Sequence, residues 1–237
     1  MAVAVKLLWL LAIGSLATLL AEGVVRSDSS SAGSSVSSAS DDHSRSLKEI
    51  VAGLQRHYRE TKSFSARFTE EIDGVGSPKR TRAGVVYFQR PGRMRWEFEV
   101  PNKELVVSDG EVLYSYDPDL NQVVEAPLKE SLRSPGATEF LLGAGDIERD
   151  FRASADQNWS NDDRVHVKLI PKKGGNTVEL SLDPGSYNIT AIRVTDQLGN
   201  VTVLKFTELR NNSPIKDSLF AFVPPPGADV VHSGPNH

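Results

Sequence analysis

In the stretch Arg93-Met94-Arg95-Trp96-Glu97-Phe98-Glu99-Val100, every second residue is apolar and the residues between are charged. A period of two marks a strand with one face in water and the other against oil. The same period runs through Phe64, Ala66, Phe68 and Ile72, interleaved with Ser65, Arg67, Thr69 and Glu71, until the turn residues 73–78 interrupt it. Further strands are expected over 83–90, 103–108, 111–117, 120–126, 164–170, 177–183, 188–196, 200–209 and 219–223. Arg90-Pro91-Gly92, Asp109-Gly110, Pro184-Gly185 and Leu198-Gly199-Asn200 are turn signals between them, so neighbours are expected to pair antiparallel. So many short strands in sequence order imply a curved meander or a barrel.

Two segments keep a helical period instead. Ser46 and Glu49 make a capping box, and Leu47, Ile50, Val51, Leu54 and Tyr58 then share one face, which predicts a helix over 47–60. Ser134-Pro135-Gly136 can start a second, short helix with Ala137, Phe140 and Leu141 on one side and Gly143 as its stop. Helices inserted in an all-strand chain can cover the open face of its sheet, and a lid is the expected role.

Ahead of the fold, Lys6 precedes an apolar run from Leu7 to Leu20 and small residues around Ala21 and Gly23, the layout of a secretory signal peptide cleaved near Ala21. That run is shorter than a comfortable bilayer span. Residues 22–46 are Ser-rich and too poor in apolar surface to offset the entropy of ordering, so a disordered tether is expected there. The organisation expected is thus signal peptide 1–21, tether 22–46, one domain 47–231 and a flexible tail 232–237.

Composition narrows the chemistry. The 237 residues include no cysteine, which excludes disulfides, thiolate metal sites, a cysteine nucleophile and a lipid-bearing N-terminal cysteine. A net charge of -4 provides no field for neutralising phosphates, which argues against nucleic acid. The histidines are scattered without metal-ligand spacing, and His166, between Val165 and Val167, is expected on a solvent face. There is no nucleophile elbow and no phosphate loop. Asp117 and Asp119, like Asp162 and Asp163, read as turn carboxylates. Four Asn-x-Ser/Thr triplets begin at Asn158, Asn188, Asn200 and Asn211, and such triplets arise often by chance. No enzyme activity, metal or cofactor is expected.

A cation beside an apolar face remains. By strict alternation Val86, Phe88 and Arg90 point the same way, and Met94, Trp96, Phe98 and Val100 bring the next strand's apolar residues to that face. A guanidinium there needs acceptors, which carbonyls or side chains of a covering helix could supply. The plainer reading makes the aromatic stripe core and lets Arg90 reach water.

The run Tyr87-Phe88-Gln89-Arg90-Pro91-Gly92-Arg93-Met94-Arg95-Trp96, then Val107-Ser108-Asp109-Gly110, then Tyr114-Ser115-Tyr116-Asp117 followed by Gln122, resembles the LolA family of periplasmic outer-membrane lipoprotein carriers. Phe220-Ala221-Phe222-Val223-Pro224 with Pro226-Gly227 resembles that family's closing strand, and the likeness runs from about Leu47 to Val231. The resemblance implies a mainly β fold, an incomplete, unclosed antiparallel barrel under a helical lid. It implies a shuttle taking acylated lipoproteins from an inner-membrane ABC-type release complex to an outer-membrane acceptor, and a soluble monomer is expected because the sequence shows no anchor, no cysteine and no long uncovered apolar helix. Arg90 then falls on the family's lid-latching arginine, Phe140 and Leu141 on the lid, and Val86, Phe88, Met94, Trp96, Phe98, Val100, Tyr114 and Tyr116 on the acyl cavity. Met94 stands where the family often has an aromatic residue. Competing readings are a periplasmic module that senses lipids or lipoproteins or binds glycolipid on the same fold, a lipid-anchored receiver, which the missing cysteine disfavours, and a lipid hydrolase, which lacks a nucleophile.

Overall fold

A computed structural model describes residues 46–131, 146–155 and 163–233. The proposed signal peptide, the tether up to residue 45, and the expected helix with Phe140 and Leu141 lie outside the described residues. Helix α1 (Leu47–Glu60) is the first element among the described residues. Ser46 caps it as expected: its hydroxyl accepts from the Glu49 backbone N–H while the Glu49 carboxylate accepts from the Ser46 N–H at 2.8 Å.

Then come β1 (Ser63–Asp73), β2 (Arg80–Gln89), β3 (Arg93–Val100), β4 (Glu104–Asp109), β5 (Val112–Asp117) and β6 (Gln122–Pro127). The short helices α2 (Leu128–Ser131) and α3 (Ile147–Asp150) precede β7 (Phe151–Ala155), β8 (Val165–Pro171), β9 (Thr177–Leu182), β10 (Ile189–Thr195), β11 (Val201–Asn211) and β12 (Asp229–His232).

All twelve strands form one sheet in the order β12-β6-β5-β4-β3-β2-β1-β11-β10-β9-β8-β7. Two meanders, β1 to β6 and β7 to β11, are thus joined where the long strands β1 and β11 pair. The sheet curls without closing, since β12 and β7 remain its edges. Neighbours pair antiparallel except β12, which runs parallel to β6. The expected strand at 219–223 is instead a 3-10 turn at Asp217–Phe220 followed by extended chain, and the strand that closes this side is β12. Pro224, Pro225 and Pro226 cannot donate to a ladder, so pairing resumes only beyond them. His232, read from sequence as the start of a tail, belongs to β12, and its ring lies 3.1 Å from Glu125. Strand β7 carried only a short apolar signal and went unread.

The inner face of the curl holds the core. Phe64, Ala66 and Phe68 of β1, Val86 and Phe88 of β2, and Met94, Trp96 and Phe98 of β3 meet Val51, Leu54 and Tyr58 of α1 in one buried cluster, with Leu180, Ile189, Ile192 and Leu204 from the other half. The outer face of β3 to β6 is partly covered as well, with Val107 and Val123 buried and Arg95, Tyr114 and Tyr116 half-buried. Phe220 is buried beside it, Arg95 donates to the Leu219 carbonyl at 3.0 Å, and Arg93 pairs with Asp217 at 2.9 Å. The C-terminal segment therefore serves as a second cover, on the side opposite α1.

At Gly84 strands β2 and β3 lie close together: a Cβ there would sit 1.9 Å from the Glu97 carbonyl oxygen. Backbone cannot give way as a side chain tip can, so Gly84→Ala should cost about 1–3 kcal/mol through overpacking. At Gly185 the nearest neighbour of such a Cβ is the Asp183 carboxylate at 3.5 Å, an ordinary contact. Gly185→Ala should therefore stay within about 0.5 kcal/mol of wild type, and urea unfolding of the two variants side by side checks the contrast.

Candidate functional site

The site is built where α1 ends above the aromatic face. A helix leaves its last four carbonyls without helical partners. In α1 the Thr61 N–H and hydroxyl both reach the His57 carbonyl, at 3.0 and 2.8 Å. The next two carbonyls are taken by Arg90, whose guanidinium donates to the Arg59 oxygen at 3.2 Å and to the Tyr58 oxygen. Arg90 reaches them because it follows the inward-facing Val86 and Phe88 in phase and because its own N–H is held by the Lys62 carbonyl at 2.9 Å. Partial burial lowers the guanidinium pKa, yet an arginine keeps its charge, and a cation at a helix C-terminus is favoured by the helix dipole.

The other flank of α1 is fastened to the β9–β10 turn. The Tyr58 hydroxyl accepts from the Ile189 N–H at 3.1 Å, and burial pushes its ionisation well above the usual phenol range. Gly53 has no side chain because the Tyr187 ring occupies that space, 2.3 Å from where a Cβ would stand. Tyr187 holds φ +60, a left-handed conformation rare for a bulky residue. Asn188 bonds the His57 side chain, and Gln55 accepts from the Ile147 N–H at 2.9 Å. Helix α1 thus bridges both meanders, with Arg90 on one side and the β9–β10 turn on the other.

Beneath it lies a continuous aromatic contact. Phe64 stacks on Phe88 at 4.6 Å between ring centroids, Phe68 meets Trp96 edge-on at 4.9 Å and Phe98 at 5.2 Å, and Phe88 meets Trp96 at 5.8 Å. Residues 59–223 match the family described as "Outer membrane lipoprotein carrier protein LolA". The chain belongs to the LolA family. It is 32% identical over 185 residues to an outer-membrane lipoprotein carrier protein of Methylobacillus flagellatus, covering 76% of this chain and 88% of that one. It is 34% identical over 184 residues to its namesake in Cupriavidus necator, covering 75% and 85%. An uncharacterized conserved protein from Thermus thermophilus shares the fold, with a TM-score of 0.51 at 16% identity, over 80% of this chain and all of that one.

Of the eight residues assigned to the acyl cavity of this LolA-family chain, five come together: Val86, Phe88, Met94, Trp96 and Phe98 are all buried on the inner face. Val100 does not join them and is 51% exposed. The pairing slips between Ala83 and Gly84, so that Phe98 faces Gly84 while Val100 faces Ala83, and the bulge at Glu99 turns Val100 out of phase. Tyr114 and Tyr116 are on the wrong face: Leu113 takes the inner position, and both tyrosines lie against Phe222 of the C-terminal cover, at 5.4 and 6.0 Å. His166, expected in solvent, is buried opposite Ser181. Asp117 accepts from the Asp119 and Leu120 N–H groups, as a turn carboxylate does. Among the described residues no group of three or more His, Asp or Glu side chains could hold a metal ion.

Sequence reading missed Tyr58 as more than an apolar-face residue, since its carbonyl and hydroxyl partners come from distant strands. It also missed Glu70, which sits in phase between Phe68 and Ile72 and was detectable as a charge on the buried face.

His57 supplies a pH test of the fastening. Burial lowers its pKa from 6.5, opposed by the Asn188 hydrogen bond and by Glu60. As pH falls through about 6.5, the unfolded chain takes up a proton that the folded protein resists, so stability declines. Urea midpoints should fall between about pH 7.5 and about pH 5.5, and His57→Gln should flatten that part of the curve.

Proposed function

We propose that this chain is a periplasmic carrier that hides the acyl chains of lipoproteins between α1 and the aromatic inner face, and delivers them to an outer-membrane acceptor. The observation that carries the reading is the Arg90 fork on the Tyr58 and Arg59 carbonyls directly above that face. It acts as a latch. The cargo arrives from an inner-membrane ABC-type release complex, residues 1–21 direct export, and the chain works as a monomer.

The energetics suit the task. Each methylene left in water costs about 0.8 kcal/mol, so a long acyl chain costs on the order of 10 kcal/mol and does not cross an aqueous compartment unaided. A carrier must cover that surface and still release it. Hydrogen bonds from a charged donor contribute about 1.5–3 kcal/mol each, so two of them hold α1 down without making its closure irreversible. An acceptor that binds the acyl group more favourably can then draw the cargo off without an external energy source.

Arg90→Leu should leave the chain folded, with Tm lowered by no more than about 5 °C, while transfer of a bound lipoprotein to acceptor-bearing membranes drops more than about tenfold. Arg90→Lys should recover only part of the transfer, since an ammonium cannot fork across two carbonyls. Unimpaired transfer by Arg90→Leu would remove the latch role. In a separate measurement, a brominated acyl chain should quench Trp96 fluorescence in the native protein, and Trp96→Phe should abolish that component. Absence of quenching at saturating probe would remove the inner face as the acyl site.

A further inference from the structure

The apolar inner face ends abruptly on the β1–β4 half. On β1 the inward row reads Phe64, Ala66, Phe68 and then Glu70, and on β2 it reads Phe88, Val86, Gly84 and then Arg82. Glu70 and Arg82 are direct cross-strand partners, with Arg82 nitrogens 2.6 and 2.5 Å from the Glu70 carboxylate. The third Arg82 nitrogen lies 3.7 Å from Glu104 of β4, and the guanidinium sits 4.4 Å from the centroid of the Phe98 ring. The three side chains are only 16%, 8% and 19% exposed for Arg82, Glu70 and Glu104. Beyond them Ile72 and, on the other meander, Val194 are buried.

This is an ionic cluster set across the path of the aromatic stripe, at the end remote from Arg90. We propose that Glu70, Arg82 and Glu104 form the end wall of the acyl site and set the longest chain that this half of the face accepts. The inference rests on the acyl-carrier reading above.

Its dimensions and chemistry agree. From Phe88 to Gly84 the strand advances about 13 Å. One leaflet of a bilayer, half of a hydrocarbon core about 30 Å thick, is about 15 Å deep. The apolar stretch is therefore close to one membrane-lipid chain in length. A longer chain would have to lift Arg82 off the Phe98 ring and away from Glu70, leaving a buried carboxylate without its partner. Breaking such a pair costs several times what one more buried methylene returns. The bulge at Glu99 ends the apolar row of β3 at the same level, because it sends Val100 outward.

The test measures the affinity of saturated fatty acids from about 8 to about 20 carbons by displacement of a fluorescent acyl probe. Wild-type protein should gain about fourfold per added methylene and then stop gaining within the series. The triple variant Glu70→Leu, Arg82→Met, Glu104→Leu replaces the cluster by apolar side chains of similar size, a change buried ion clusters often tolerate. Its affinity should keep rising past the wild-type break. Should that variant not fold, the double variant Glu70→Gln, Arg82→Gln keeps a hydrogen-bonding cross-strand pair and should also move the break to longer chains. An unchanged break in a folded variant, or a wild-type profile with no break, would overturn the end wall while leaving the carrier reading in place. Failure of wild-type protein to bind any chain would overturn both.

Discussion

A helix that ends over an apolar surface has polar carbonyls where water is scarce, and something must satisfy them. In this chain Arg90 supplies the donors for two of those carbonyls, on Tyr58 and Arg59. Much else follows from that need. The C-terminus of the helix is fastened over the aromatic face by Arg90, just past β2, and Tyr58 is also tied to Ile189 on the far meander. The helix is therefore held by polar contacts at its rim and by apolar contacts at its centre. Rim contacts are few and reversible, whereas the apolar contacts are of the kind an acyl chain can replace.

The sheet uses its two faces differently. Its outer surface over β3 to β6 is covered in part by chain that follows β11, where the half-buried rings of Tyr114 and Tyr116 lie against Phe222. That cover is anchored by ion pairs and by the parallel pairing of β12, so it belongs to the fixed part of the fold. The inner surface is covered by a helix that enters from the N-terminal side and makes no strand pairing. An apolar face with a separately fastened cover can exchange one apolar partner for another. A face covered by continuous chain cannot do so without losing the fold.

The LolA-family match and the fold agree with a reading begun from alternation. Period-two patterning located β1 to β6 and β8 to β11 within a few residues, and the capping box with its apolar stripe located α1, because both depend on neighbours close in sequence. The same local information put Arg90 on the side of Phe88. Residues 93–98 showed their buried face plainly, and Met94, Trp96 and Phe98 follow from it, as Val86 and Phe88 follow from the alternation of β2.

What local pattern could not carry was anything set by a distant partner. Val100 was misplaced because a bulge opposite Ala83 reverses the phase, and a bulge is a property of two strands together. Tyr114 and Tyr116 were placed at the acyl site by the family resemblance, and only the arrival of Phe222 from more than a hundred positions away shows them packed on the outer face. The strand expected at 219–223 failed for a related reason, since Phe220 is buried from within a 3-10 turn and the residues after it run extended without pairing along a ladder. Glu70 illustrates the limit most sharply: its charge on a buried row was visible in the chain, but its partner Arg82, and the Glu104 that shares that guanidinium, became neighbours only when three strands aligned. Sequence determined which side of each element is apolar, because that depends on spacing along the backbone. Tertiary structure decided which apolar side faces a separately fastened helix and which is sealed by chain, because that depends on where segments remote in sequence come to rest.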